Sequence, residues 1–127
     1  MNIESDEKKI LIVDDAGYIR VLFREALKNE GYTVLTESGV MAAYETIKKE
    51  CPDLLLLDVN LEDGSGIELL KQLRSENNSI PVIMITSESL KETVISAAKC
   101  NIKSFLTKPV DINVLKMRIR EVFENNG

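Results

Sequence analysis

The chain has no histidine and no tryptophan among its 127 residues. Without histidine it can build no Ser-His-Asp or Cys-His nucleophilic system, no histidine general base and no histidine-ligated metal site of its own. Aromatic residues make up only 5%, too few for a platform on which bases stack. Positive charge is in the minority, 16 Lys and Arg against 21 Asp and Glu, for a net charge of -5. A protein that neutralises nucleic-acid phosphates needs the reverse balance, so no direct nucleic-acid partner is expected. The two cysteines, Cys51 and Cys100, form no Cys-x-x-Cys pair and read as reduced thiols. Apolar runs such as Leu54–Leu57 are far too short to cross a bilayer, and the opening MNIESDEKK is unlike a signal peptide. The expectation is a cytoplasmic protein without membrane insertion.

What the chain does contain is an alternation of short apolar runs with segments of helical period. Ile10–Val13 reads as a strand, followed by a helical face of Ile19, Leu22, Phe23, Ala26 and Leu27, with Gly31 as a stop. Thr33–Glu37 reads as an edge strand, and Val40, Ala43, Tyr44 and Ile47 as a second helical face ended by Pro52. Leu54–Leu57 has no alternation, the pattern of a strand buried on both sides. The turn Glu62–Gly66 precedes a helix through Ile67, Leu70 and Leu73, and Pro81–Ile85 is the fourth strand. Ser89 to Glu92 fits a capping box for a helix with Leu90, Val94 and Ala97 inward. Ser104–Thr107 is the fifth strand, and Asp111 caps a last helix with Ile112, Leu115, Ile119 and Val122 inward. Met41, Met84 and Met117 read as core packing, and Lys8-Lys9 and Lys48-Lys49 as solvated surface. Five β-α units in a row predict an α/β fold, a parallel sheet wound with helices on both faces.

Ligands of open α/β sheets bind at the carboxyl ends of the strands. There the chain places Asp14-Asp15, then Asp58, then Thr86, then Thr107-Lys108-Pro109. Two like charges at ~4 Å cost about 4 kcal/mol at an effective dielectric near 20. Lys108 offsets part of that repulsion, and a hard divalent cation would offset the rest. Mg2+ suits best, since it uses one or two carboxylates and keeps room for phosphate oxygens. A carboxylate needs no base to act as nucleophile, and Asp58, after the central strand, is the candidate. Phosphoryl transfer asks mainly for positioning and charge neutralisation; Lys108 and Thr86 could each take a phosphoryl oxygen, and Ser87 leaves room for a donor. No P-loop pattern occurs, and Gly64-Ser65-Gly66 fails the dinucleotide fingerprint at its third glycine.

ILIVDDAGYIR, PDLLLLDVNLEDGSG, PVIMITS and FLTKP, in this order and spacing, resemble the receiver domain of two-component response regulators. The resemblance runs from about Lys8 to Phe123, and residues 1–127 read as one receiver domain with no room for an output domain. It implies a flavodoxin-like sheet of strand order 2-1-3-4-5. It implies that Asp58 takes a phosphoryl group from the phosphohistidine of a histidine kinase or phosphotransfer protein. Asp15, Asp58 and the Asn60 carbonyl would ligate Mg2+ (or Mn2+), with Asp14 helping through water. Thr86 and Phe105 would switch together, changing the affinity of the face formed by the fourth helix, fifth strand and fifth helix for an output protein. Asn60 and Glu88 would tune self-dephosphorylation, as in chemotaxis-type single-domain receivers. The only catalysis implied is of the domain's own phosphorylation and dephosphorylation, in the service of a switch.

Glu62 stands where the family often has Pro, which would loosen the loop after Asp58. Asn101 replaces a usual Gly and can keep the left-handed turn, and Ile102 replaces a usual small residue. Two alternatives remain open. One is a haloacid dehalogenase-like phosphohydrolase, which needs an acid where Asn60 stands. The other is a degenerate receiver serving only as a binding module.

Overall fold

The computed structural model describes residues 7–88 and 90–125. In chain order its elements are β1 (Lys9–Val13), α1 (Gly17–Lys28), β2 (Thr33–Glu37), α2 (Val40–Glu50), β3 (Leu54–Leu57), β4 (Asn60–Leu61), β5 (Gly64–Ser65), α3 (Gly66–Ser75), β6 (Val82–Thr86), α4 (Lys91–Lys99), β7 (Ser104–Thr107) and α5 (Ile112–Asn125). The main sheet is parallel, in the order β2-β1-β3-β6-β7. With the small antiparallel ribbon β4-β5 set aside, this is the expected 2-1-3-4-5 order.

Side chains alternate across each strand and feed two cores. Leu11, Val13, Leu55, Leu57, Val82 and Met84 meet α2, α3 and α4 on one face. Ile10, Ile12, Leu54, Leu56, Ile83 and Ile85 meet α1 and α5 on the other. All four leucines of β3 are therefore buried, half of them in each core. Burying such a side chain stabilises the fold by about 1.5–3 kcal/mol.

Several helical readings change at the surface. In α1 the single row Ile19, Phe23, Leu27 suffices to meet the sheet, and Leu22, one step round the helix, is exposed. Leu90 is exposed because it precedes α4 rather than opening it, Val94 is also turned outward, and only Ala97 of that helix is buried. The capping box centred on Ser89 lies outside the described residues. Met84 is in the core, but Met41 and Met117 are exposed on their helices. Strand β6 begins at Val82 because Pro81 has no N–H and joins the ladder only by accepting from the Leu55 N–H. Asp111 caps α5 as expected, accepting from the Asn113 and Val114 N–H groups at 2.7 and 3.4 Å.

The loop after β3 is tied down rather than loosened. Glu62 accepts from the Ser38 hydroxyl at 3.1 Å, and Asp63 accepts from the Val40 and Met41 N–H groups at the start of α2 at 2.6 and 3.2 Å. Asn101 adopts the left-handed conformation, with φ of 62°. Gly66 opens α3 against the backbone of Asp58, and a Cβ there would collide with the Asp58 carbonyl oxygen. Both groups are backbone, so neither can rotate away. Gly66→Ala is expected to lower stability by about 1–3 kcal/mol, read as a fall in the urea midpoint at unchanged slope.

The end of α1 is fastened to α5 through Glu30, whose carboxylate meets Arg120 at 2.8 Å and Lys116 at 3.5 Å. The hydrogen bond from Arg120, then the nearby positive charges, hold the Glu30 carboxyl below its ordinary value of 4.5. A depressed carboxyl stabilises the fold fully above its ordinary pKa and loses that contribution as pH falls through the folded value. Glu30→Gln is expected to lower the Tm at neutral pH, and the difference should close as pH falls below 4.5.

Candidate functional site

The register decides which strand ends meet. Val13 lies opposite Leu57 in the β1–β3 ladder, so the next residues, Asp14 and Asp58, emerge side by side. The ladder continues past the strands: the Asp58 N–H donates to the Val13 carbonyl at 3.0 Å, and the Asp14 N–H to the Glu37 carbonyl at 3.1 Å. The two carboxylates are thus held by backbone on rigid strand ends. Both are buried, at 3% and 6% exposure, whereas Asp15 faces solvent. One oxygen from each of Asp14, Asp15 and Asp58 lies within 4.8 Å of the others.

Lys108 enters from the end of β7. Its ammonium donates to Asp14 Oδ2 at 2.7 Å and to Asp58 Oδ2 at 2.9 Å. The remaining oxygens are held by backbone: Asp14 Oδ1 accepts from the Ala16 N–H at 2.9 Å and Asp58 Oδ1 from the Asn60 N–H at 3.4 Å. Burial, the largest influence, raises the pKa of Asp14; the bonds from Lys108 and Ala16 lower it, and the Asp58 charge raises it again, for a net upward shift. Burial works against the charge on Lys108 too, but its hydrogen bonds to Asp14 and Asp58 outweigh that and raise its pKa. One ammonium facing three carboxylates leaves the site short of positive charge. An all-oxygen donor set this compact fits a hard divalent cation.

The other expected residues surround this cluster. Thr86, wholly buried at the end of β6, accepts from the Glu88 N–H at 3.1 Å, and its carbonyl accepts from the Lys108 N–H at 2.9 Å. Glu88 is held in turn by the Thr93 hydroxyl of α4 at 3.3 Å and lines one cavity with Asn60. Ser87 and Lys108 border a separate, more apolar cavity against Tyr18, Leu22 and Phe23. Phe105 is not at the cluster. It sits on β7 opposite Met84, half-buried against the α2–α4 core.

Three contributors escaped the sequence reading. Gly66 lets the chain pass under Asp58, Thr93 holds Glu88, and the Arg20 guanidinium donates to the Asp14 carbonyl at 2.6 Å. Thr93 lies in no motif; Arg20 ends the ILIVDDAGYIR run and Gly66 lies inside a recognised turn, but what each does is visible only against the packed backbone.

Comparison with known proteins agrees with this geometry. The response regulator receiver domain family matches residues 10–120. Chemotaxis protein CheY-3 of Vibrio cholerae is 33% identical over 119 residues, covering 91% of this chain and 92% of that protein. Sporulation initiation phosphotransferase F of Bacillus subtilis is 32% identical over 114 residues, covering 90% and 92%. The chain spans only about half the length of other curated relatives, such as the probable transcriptional regulatory protein TcrX of Mycobacterium tuberculosis, where 31% identity covers 93% of this chain and 50% of that protein. The crystal structure of a response regulator receiver domain protein (CheY-like) from Methanospirillum hungatei JF-1 superposes with a TM-score of 0.90 at 29% identity, covering 95% of this chain and 98% of that one. Likeness of this extent, in sequence and in backbone, places the chain in the response regulator receiver domain family, the phosphoacceptor signalling domains of two-component systems.

Proposed function

We propose that Asp58 is the phosphoacceptor, and that its donor is a phosphohistidine on a histidine kinase or histidine phosphotransfer protein. The observation that carries this reading is the Lys108 ammonium bridging two buried carboxylates that the sheet holds side by side. In the transfer, an Asp58 oxygen bonds to phosphorus as the donor's P–N bond breaks, and the donor nitrogen keeps the electron pair. Lys108 can follow the oxygen charge from the carboxylate to the arriving phosphoryl group. Receiver domains are generally Mg2+-dependent; here Asp14, Asp15, Asp58 and the Asn60 carbonyl are the residues that would hold the ion. When bound it would supply the positive charge the phosphoryl oxygens need. The described residues form one five-stranded sheet with five helices and a small two-stranded ribbon, which supports a single receiver domain, and no described helix is long and apolar enough to span a membrane.

The same reading extends to the switch. Thr86 would exchange its bond from the Glu88 N–H for one to the phosphoryl group, and Phe105 would move with it. The responding face would be α4, β7 and α5; exposed Ile95 and Met117 on these helices, with Leu90 just ahead of α4, offer apolar surface to an unidentified output protein. Glu88 and Asn60, which line one cavity, would set the approach of hydrolytic water to Asp58. No observation favours a dehalogenase-like phosphohydrolase, since Asn60 lacks the acid that chemistry needs, and the intact cluster speaks against a degenerate receiver.

Incubation with a small phosphodonor such as phosphoramidate and Mg2+ is expected to add one phosphoryl group by intact mass. Asp58→Asn, or chelation of the metal, should abolish the addition. An Asp58→Asn chain labelled at the unaltered rate would sink the proposal.

The raised pKa of Asp14 yields a stability test. An ionised carboxyl whose folded pKa lies above its ordinary 3.8 destabilises the fold increasingly as pH rises through that folded value. Asp14→Asn, without metal, is expected to raise the Tm at neutral pH by roughly 2–4 °C. The gain should vanish as pH approaches 3.8.

A further inference from the structure

Arg20 occupies a place that helix electrostatics disfavours. It is the fourth residue of α1, in a first turn that holds no acidic residue, where the positive end of the helix dipole disfavours a cation. Its side chain runs back toward the helix start, close enough that a Cβ on Gly17 would touch it at 3.6 Å. The guanidinium then donates to the carbonyl oxygen of Asp14 at 2.6 Å. Among the described residues it pairs with no carboxylate of the cluster, which draws its ammonium from Lys108 instead.

That carbonyl belongs to the peptide joining Asp14 to Asp15. Asp14 itself is already held through its N–H, through Oδ1 by Ala16 and through Oδ2 by Lys108. Asp15 is exposed, yet its carboxylate stands within 4.8 Å of those of Asp14 and Asp58. The plane of the Asp14–Asp15 peptide sets the direction in which Asp15 leaves the backbone.

We infer that Arg20 is a positioning residue for the divalent-cation site, fixing the Asp14–Asp15 peptide so that the Asp15 carboxylate faces Asp58. This rests on the reading of the carboxylate cluster as a cation site. A positioning role and a purely electrostatic one differ in sign. A positive charge beside the site repels a dication, so removing a merely electrostatic Arg20 would tighten Mg2+ binding. Removing a positioning Arg20 weakens it.

Calorimetric titration with MgCl2 of the unaltered chain, Arg20→Met, Arg20→Lys and Arg24→Met separates the two. Arg24, one turn further along α1 with Glu25 as its neighbour at 3.8 Å, loses the same charge without touching Asp14. Arg20→Met is expected to weaken Mg2+ binding about tenfold or more, the scale for losing an outer partner of a metal ligand. Arg20→Lys, keeping one donor but not the planar fork, should recover part of the loss, and Arg24→Met should leave the affinity unchanged. Thermal melts without metal report whether each variant is folded. An Arg20→Met chain that binds Mg2+ as tightly as the unaltered one, or more tightly, overturns the inference. Should that variant fail to fold, an Arg20→Lys chain with unaltered affinity overturns it. An unaltered chain that binds no Mg2+ overturns instead the reading of the site on which the inference rests.

Discussion

The Lys108 ammonium lies between two buried carboxylates, and most of the site follows from that contact. A parallel ladder in this register has no freedom to keep Asp14 and Asp58 apart. Left alone, two such charges in a half-dry site repel by several kcal/mol. The lysine removes enough of the repulsion for the strands to end there, and not all of it. The residual negative charge leaves a compact all-oxygen cluster that a hard divalent cation would fit. The interaction that lets the sheet close thus leaves the cluster short of positive charge.

Rigidity is distributed unevenly around this centre. Asp58 is framed by the ladder on one side and by Gly66 on the other, with the loop beyond it tied to α2 through Ser38 and Asp63. On the opposite side α4 buries a single alanine and exposes Val94 and Ile95, with Leu90 exposed just ahead of it. A thinly packed helix can shift at small free-energy cost, while a strand end buried in two cores cannot. Thr86, Glu88 and Thr93 form a short chain of hydrogen bonds from the rigid part to the thin one. A ligand that contacts Thr86 differently in two arrangements can therefore bias α4.

Much of this was legible before any coordinates. Apolar runs without alternation identified doubly covered strands, and the residues ending those runs identified the site. The errors have a common source. Leu22, Leu90, Val94, Met41 and Met117 are apolar and read as inward from the sequence, yet all five are exposed, because an apolar pattern does not say how wide a stripe the sheet can cover. The β4–β5 ribbon was hidden within a turn, since two residues per strand leave no periodicity. Glu62 was read from its effect on backbone stiffness, whereas the loop is held by side-chain bonds to Ser38 and the start of α2.

The amino-acid order by itself determined the alternation of strands and helices, the sheet's place in the interior, and which carboxylates stand at strand ends. Those are local consequences of hydrophobic period and turn chemistry. Tertiary structure alone decided that one ammonium bridges Asp14 and Asp58, that Arg20 grips the peptide between the first two acids, and that Gly66 must pass beneath Asp58 without a side chain. Each of these joins residues from different elements, and their distance is set by strand register and helix packing rather than by separation along the chain.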